Sequence, residues 1–214
     1  MGVSISARAD EHSGRRADQV APAAKTARQS ATHVLQSYAG LPLAFVANRG
    51  QTDRRARYYA LGSRYAFYVT RKGVVLSLVK RSTTLRTRGV ALAWRFGGAS
   101  PRARIVAQRR LTGRVNSLHG NDPARWRTDL ARHAVIRYRG LWHGVDLSLS
   151  GHAGTLKYEF RLKPGARIRD IRLSYRGATG LALDRGGALL VRTAVGNLRD
   201  SAPVAYQTVA GKRV

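Results

Sequence analysis

Hydrophobic and polar positions along this chain change period once. Residues 1–22 mix Ala, Arg, Ser, Asp and Gly with no hydrophobic period, which predicts a disordered tail that buries too little surface to offset its ordering cost. From Ala23 to Tyr38 the apolar positions Ala27, Val34, Leu35 and Tyr38 approximate one helical face, and Gly40 can end the turn, so a short amphipathic helix is expected over 23–40. After Pro42 the pattern alternates. Tyr65, Phe67 and Val69 share a face, Arg71-Lys72-Gly73 reads as a turn, and Val74, Leu76 and Leu78 return. Val90, Leu92, Trp94 and Phe96 form another alternating set, closed by Gly97-Gly98. The clearest hairpin joins Val145, Leu147 and Leu149 to Leu156, Tyr158, Phe160 and Leu162. Ile171, Leu173 and Tyr175 follow, and then Leu181 and Leu183 lead through Asp184-Arg185-Gly186-Gly187 to Leu189 and Val191.

About ten short strands with regular turn signals and no intervening helices argue for antiparallel sheets packed face to face. The expected fold is therefore all-β: an antiparallel β-sandwich over 41–214, one short N-terminal helix and a disordered N-terminal tail. No internal repeat is visible, so the chain contains no propeller blades or solenoid of its own. Composition agrees: 22 glycines, 9 tyrosines and a single methionine favour strands and turns, and 43% hydrophobic residues can fill a core.

Charge changes the picture more. The formal net charge is +28, from 39 Lys and Arg against 11 Asp and Glu, and residues 1–40 hold only five basic and three acidic residues. The charge belongs to the β-rich part. There the arginines come in pairs or alternating sets, such as Arg54-Arg55, Arg86 and Arg88, Arg109-Arg110, and Arg137 and Arg139. Period-2 spacing puts such residues on the solvent side of half-buried strands, yet an excess this large also attracts polyanions, acidic polysaccharide or nucleic acid foremost. With no cysteine there is no disulfide, thiolate nucleophile or cysteine zinc site. No apolar stretch is long enough for a transmembrane segment, and no signal peptide is visible at the N-terminus.

The remaining chemistry is thin. Glycoside hydrolysis needs two carboxylates about 5–9.5 Å apart, and the choices are Asp53, Asp122, Asp129, Asp146, Glu159, Asp170, Asp184 and Asp200. Asp122-Pro123 reads as a turn or Asx cap, Asp184 as a hairpin turn and Glu159 as outward-facing. There is no G-x-S-x-G elbow, no H-E-x-x-H and no EF-hand loop, although Asn121, Asp122 and Asp129 offer oxygens to a calcium ion. The chain is thus expected to be no enzyme, with no catalytic residue, cofactor or metal assigned. The candidate polyanion or glycan contacts are Arg125, Trp126 and Arg127 together with Arg137 and Arg139; against them stands the reading of Trp126 as an anchor packed onto the sandwich. Gly50, Gly120, Gly140 and Gly144 are expected to supply positive φ at turns.

Three segments carry a resemblance. The first is Tyr38-Ala39-Gly40-Leu41-Pro42-Leu43-Ala44-Phe45 with Asn48-Arg49-Gly50-Gln51-Thr52-Asp53. The second is Gly120-Asn121-Asp122-Pro123-Ala124-Arg125-Trp126-Arg127-Thr128, continued by Arg137-Tyr138-Arg139-Gly140-Leu141-Trp142-His143-Gly144-Val145-Asp146-Leu147. The third is Leu156-Lys157-Tyr158-Glu159-Phe160 with Pro164-Gly165-Ala166. Over about residues 35–214 the chain resembles the N-terminal domain of unknown function of bacterial secreted proteins with SBBP-type β-propeller repeats. The resemblance implies a non-catalytic structural or adhesive module of an extracellular or cell-surface protein. Its partners would be other β domains or propeller repeats of the same full-length protein. It also implies a fragment, since relatives continue with further strands past the position of Val214 and begin with a signal peptide. The alternative is a binding module for acidic polysaccharide or nucleic acid, working through a basic face that contains aromatic residues.

Overall fold

The structure, a computed structural model, describes residues 2–9, 43–62, 65–80, 88–152, 155–209 and 212–213. It is all β apart from two 3-10 turns, Pro123–Arg125 and Ile168–Asp170. The strands are β1 (Gly2–Ala9), β2 (Phe45–Ala47), β3 (Ala56–Leu61), β4 (Tyr65–Thr70), β5 (Gly73–Lys80) and β6 (Arg88–Gly97). Two long ones follow, β7 (Arg104–Ser117) and β8 (Arg127–Trp142), then β9 (Val145–His152), β10 (Thr155–Leu162), β11 (Arg172–Arg176) and β12 (Gly180–Leu183). The last are β13 (Leu189–Thr193), β14 (Gly196–Asp200), β15 (Val204–Tyr206) and a separate pair, β16 (Thr208–Val209) with β17 (Lys212–Arg213).

All pairings are antiparallel, and one path runs β11-β6-β5-β4-β3-β2-β8-β9-β10-β1-β14-β13-β12. Nine strands form a curled antiparallel sheet, a half-barrel. The pivot is β8. One edge of β8 pairs with β7 along nearly its whole length, and the other is shared: Arg132 and His133 pair with β2, whereas Val135 to Trp142 pair with β9. Two arms therefore leave the same edge of one strand and fold over one another. Phe45 and Ala60 look inward from the first arm, and Leu147 and Leu149 from the second.

This corrects the expected β-sandwich. The alternation does place apolar faces against each other, but the two layers are one continuous sheet, because both hydrogen-bond to β8. The short helix expected over 23–40 lies outside the described residues. Residues 2–9, which fell in the expected disordered tail, run as β1 between β10 and β14.

Aromatic side chains fill the interior. Trp94 and Phe96 of β6 reach across to β10 and β8: Trp94 lies 4.6 Å from the Tyr158 ring, and Phe96 stands edge-on to Tyr138 at 5.3 Å and to Trp142 at 6.0 Å. Tyr138, Phe45 and Phe160 are fully buried. Each such side chain contributes roughly 1.5–3 kcal/mol of burial, so these contacts, with the β8 pairing, hold the arms together.

The expected β4–β5, β9–β10 and β12–β13 hairpins form as the alternation indicates. β11 instead pairs with β6, far away in sequence. Gly50, Gly120, Gly140 and Gly144 all have positive φ. Gly73 is the most constrained glycine, because with φ +144 an added Cβ would lie 2.0 Å from the Trp94 carbonyl oxygen.

Candidate functional site

Polar side chains of the chain gather in three places, and the first is the loop end of β8. In the β2–β3 connection Asn48 is the organiser. Its Nδ2 donates to the carbonyls of Thr52, Asp53 and Ala56 at 3.2, 2.9 and 3.0 Å, and its Oδ1 accepts from the Gly50 and Thr52 amides. Gln51 adds a bond from Nε2 to the Ala47 carbonyl. Asp53 accepts from Arg55, whose guanidinium and backbone N–H hold that carboxyl down at about 2. Asp122 caps the 3-10 turn by accepting from the Ala124 amide. Arg127 then ties the two loops together, with Nε donating to the Arg49 carbonyl and Nη1 to the carbonyls of Ala124 and Trp126. Trp126 is 36% exposed and donates to the Gly120 carbonyl.

The opposite end of β8 is built differently. The β4–β5, β6–β7 and β8–β9 turns and the β10–β11 loop meet there through Phe96 N–H to Lys72 O, Ser100 N–H to Leu141 O and Lys163 N–H to Gly144 O. Core aromatics donate outward to the same turns: Tyr138 to the Thr70 carbonyl at 2.7 Å, and Trp142 Nε1 to the Gly97 carbonyl at 2.9 Å. Asp146 fixes the β8–β9 hairpin by accepting from the Gly140 amide and pairing with Arg137 at 3.0 Å. Around them Arg71, Arg102, Arg104, Arg139, Lys163 and Arg172 are exposed and have no ion-pair partner among the described residues.

The third place is interior. Asp200 of β14 is 6% exposed and accepts from Tyr158 of β10 at 2.7 Å and from Tyr175 of β11 at 3.1 Å. β11 lies in the arm that leaves β8 through β2 and β10 in the arm that leaves through β9, so this one carboxylate ties the two arms together. Burial pushes the Asp200 carboxyl above its ordinary value against the opposing effect of the two phenols, and burial likewise raises both tyrosines. Asp200 Oδ1 and Trp94 Nε1 are buried without a hydrogen-bond partner.

A family model for a domain of unknown function, DUF7948, matches residues 45–214. The chain belongs to the DUF7948 family. No curated protein and no solved structure matches it. The family match covers β2 to β17, and with them the loop end, the turn end and the Asp200 clasp.

Within this DUF7948 domain the five residues expected to contact a polyanion are not brought together. Arg125, Trp126 and Arg127 lie at the loop end, Arg137 is neutralised by Asp146, and Arg139 sits at the turn end. Ten residues of strand separate Arg127 from Arg137, on the order of 30 Å. Arg127 is a loop clamp. Asn121, Asp122 and Asp129 form no cluster either: Asp122 caps its turn and Asp129 pairs with Arg114. Among the described residues no group of three His, Asp or Glu is placed to hold a metal ion, and no helix is long and apolar enough to cross a membrane. The Asp200 clasp was missed from sequence. One signal was there, since Asp200 shares the parity of Leu198 and so faces inward.

Proposed function

We propose that this domain is a non-catalytic structural or adhesive module of a secreted or cell-surface protein bearing β-propeller repeats. The observation that carries the reading is where the motif residues direct their polar atoms. Asn48, Gln51, Asp53, Asp122, Arg127 and Asp146 are polar positions of the first two motifs, and each bonds within its own hairpin, its own loop or an adjoining loop. Catalysis needs such groups aimed at a substrate; here they fix backbone. The concave face of the half-barrel is packed with aromatic rings, so the outer surface and the strand edges are what remain for partners.

β12 is such an edge. It ends the sheet path, pairs with β13 alone among the described residues, and exposes Leu181 and Leu183 at 52% and 73%. An unpaired edge is a template for another strand, and a neighbouring β domain is the natural partner. The test is amide hydrogen exchange of β12 with and without the propeller repeats supplied in trans. Slower exchange across Gly180–Leu183 is the expected result. Unchanged exchange overturns the docking reading, and turnover of a polysaccharide or peptide by the purified domain overturns the non-catalytic one.

A further inference from the structure

We propose that the turn end of the half-barrel binds an acidic polysaccharide, seating its anionic groups in two adjoining depressions separated by Arg167. The inference rests on the adhesive reading above and names what is gripped. The first depression, about 320 Å³, lies between the β6–β7 turn, the β8–β9 turn and the β10–β11 loop; Gly98, Ser100, His143, Arg167 and Arg172 help line it, with the Asp170 carboxylate that Arg167 pairs also in the wall. The second, about 600 Å³, runs along the β10–β11 loop past Lys163, Arg167, Ile168 and Arg169.

Three observations point to an extended anion. First, the cations are available. Lys163, Arg169 and Arg172 have no ion-pair partner among the described residues. Arg167 is exposed and meets Asp170 through Nε at 3.2 Å, so its two terminal nitrogens stand outside that ion pair. A guanidinium pair matches a carboxylate or sulfate in geometry as well as charge. Second, the floor is open. Gly98 has φ +66 and nothing within 4 Å of where a Cβ would be, so backbone approaches a ligand there without a side chain intervening. Third, the depressions share a wall. A polymer with an acidic group on successive units would place one beside Arg172 and the next beside Lys163 and Arg169. Sugar rings fit better than bases, because single-stranded nucleic acid is held on large exposed aromatic faces, and the indole at this site, Trp142, is 5% exposed and packed against Phe96 and Phe160, which leaves the small His143 ring as the exposed aromatic group of the lining.

The experiment is calorimetric titration of the whole chain with alginate and heparin, against neutral dextran and an oligothymidylate. Arg167→Ala/Arg172→Ala should weaken binding of the acidic polysaccharides about tenfold or more, and Lys163→Ala/Arg169→Ala should do the same. Arg54→Ala/Arg125→Ala removes two charges from the other end and should change affinity by less than about twofold. All six side chains are exposed, so circular dichroism should be unchanged throughout. Equal weakening by the pairs at both ends, tighter binding of oligothymidylate, or no binding of either polysaccharide at low salt overturns the proposal. If polysaccharide binding fails while propeller repeats still protect β12, the scaffold reading survives alone. If both fail, the reading it rests on falls too.

Discussion

Both ends of β8 carry arginines, but the two ends are fastened differently. At the loop end Arg127 donates to three backbone carbonyls, Arg55 holds Asp53 and Arg114 holds Asp129, so positive charge serves as internal fastening. At the turn end much of the fastening comes from inside, through Tyr138 and Trp142; Arg137 pairs with Asp146 and Arg167 with Asp170, while Arg71, Arg102, Arg104, Arg139 and Arg172 have no ion-pair partner among the described residues. A net charge alone does not distinguish these cases. Partners do, because a guanidinium whose donors are satisfied by carbonyls has little left for a ligand.

The largest expected effect tests the inner fastening. Tyr138 is fully buried and its hydroxyl also reaches the Gly73 carbonyl at 3.2 Å. Tyr138→Ala should cost about 3–5 kcal/mol by opening a cavity at the pivot of the two arms. Tyr138→Phe should cost about 1–2 kcal/mol, since it keeps the ring and loses only the bonds to the β4–β5 turn. Urea midpoints measure both. If Tyr138→Phe is neutral, the turn end is held by something other than its core aromatics.

The next effect lies at the loop end. Asn48→Ala removes the side chain that satisfies three carbonyls and two amides of one loop, and about 2 kcal/mol should be lost. Arg127→Ala should lose about 1–2 kcal/mol, and Arg127→Lys should recover little, because an ammonium cannot span the Arg49 and Ala124 carbonyls as a planar fork does. Full rescue by lysine would mean that charge, and not bonding geometry, matters there.

The same contrast explains what was legible in the sequence. β4–β5 and β9–β10 alternate cleanly and end in glycine turns, so their pattern alone locates them. β7 does not alternate: Arg109 has φ 54, Gly113 has φ 81, and register shifts between Arg110 and Arg114. Each bulge resets which face a residue takes, which erases the period-2 signal. Alternation also fixes faces and says nothing about edges. That β8 shares one edge between β2 and β9, turning two expected sheets into one, is a matter of pairing between distant strands. The Asp200 clasp shows the same division. Its inward parity could be read from Leu198, but its partners Tyr158 and Tyr175 lie 42 and 25 residues away. The arginines differ in partners too, since nearby positions such as Arg125 and Arg127 look alike in the sequence until the carbonyls around one of them are known.

Asp200 extends the comparison to the interior, where the carboxylate is 6% exposed and has no ion-pair partner among the described residues. Its carboxyl is raised above the ordinary value, chiefly by burial, so the folded state holds the proton more tightly than the unfolded chain. The stability tied to it is complete below the unfolded value and is lost as pH rises through the folded one. Asp200→Asn should remove that downward slope, which is at most about 1.4 kcal/mol per pH unit, while keeping an oxygen for the two tyrosines. Urea midpoints from pH 4 upward in both proteins show it; parallel profiles would mean that Asp200 is not the titrating group. Asp53 has the opposite sign. Its folded value of about 2 means that its contribution is complete above about pH 5 and is lost between there and about 2, so Asp53→Asn should leave the profile unchanged above about pH 5, where only the Asp200 slope remains.

The smallest effect is the sharpest test of the contrast between ends. Arg104 of β7 and Arg139 of β8 sit directly opposite one another, both exposed and neither paired with an acid among the described residues. Like charges placed across a ladder repel by a few tenths of a kcal/mol, and salt screens that repulsion over a Debye length of about 10 Å at 0.1 M. Arg139→Gln should therefore raise the thermal midpoint slightly at low salt, and the gain should vanish as salt is added. The equivalent charge removal at Arg127 should lower the midpoint at every salt concentration. A destabilised Arg139→Gln would show that the turn end also uses its arginines to hold itself together, and the cations proposed to face a polysaccharide would lose their claim to be free.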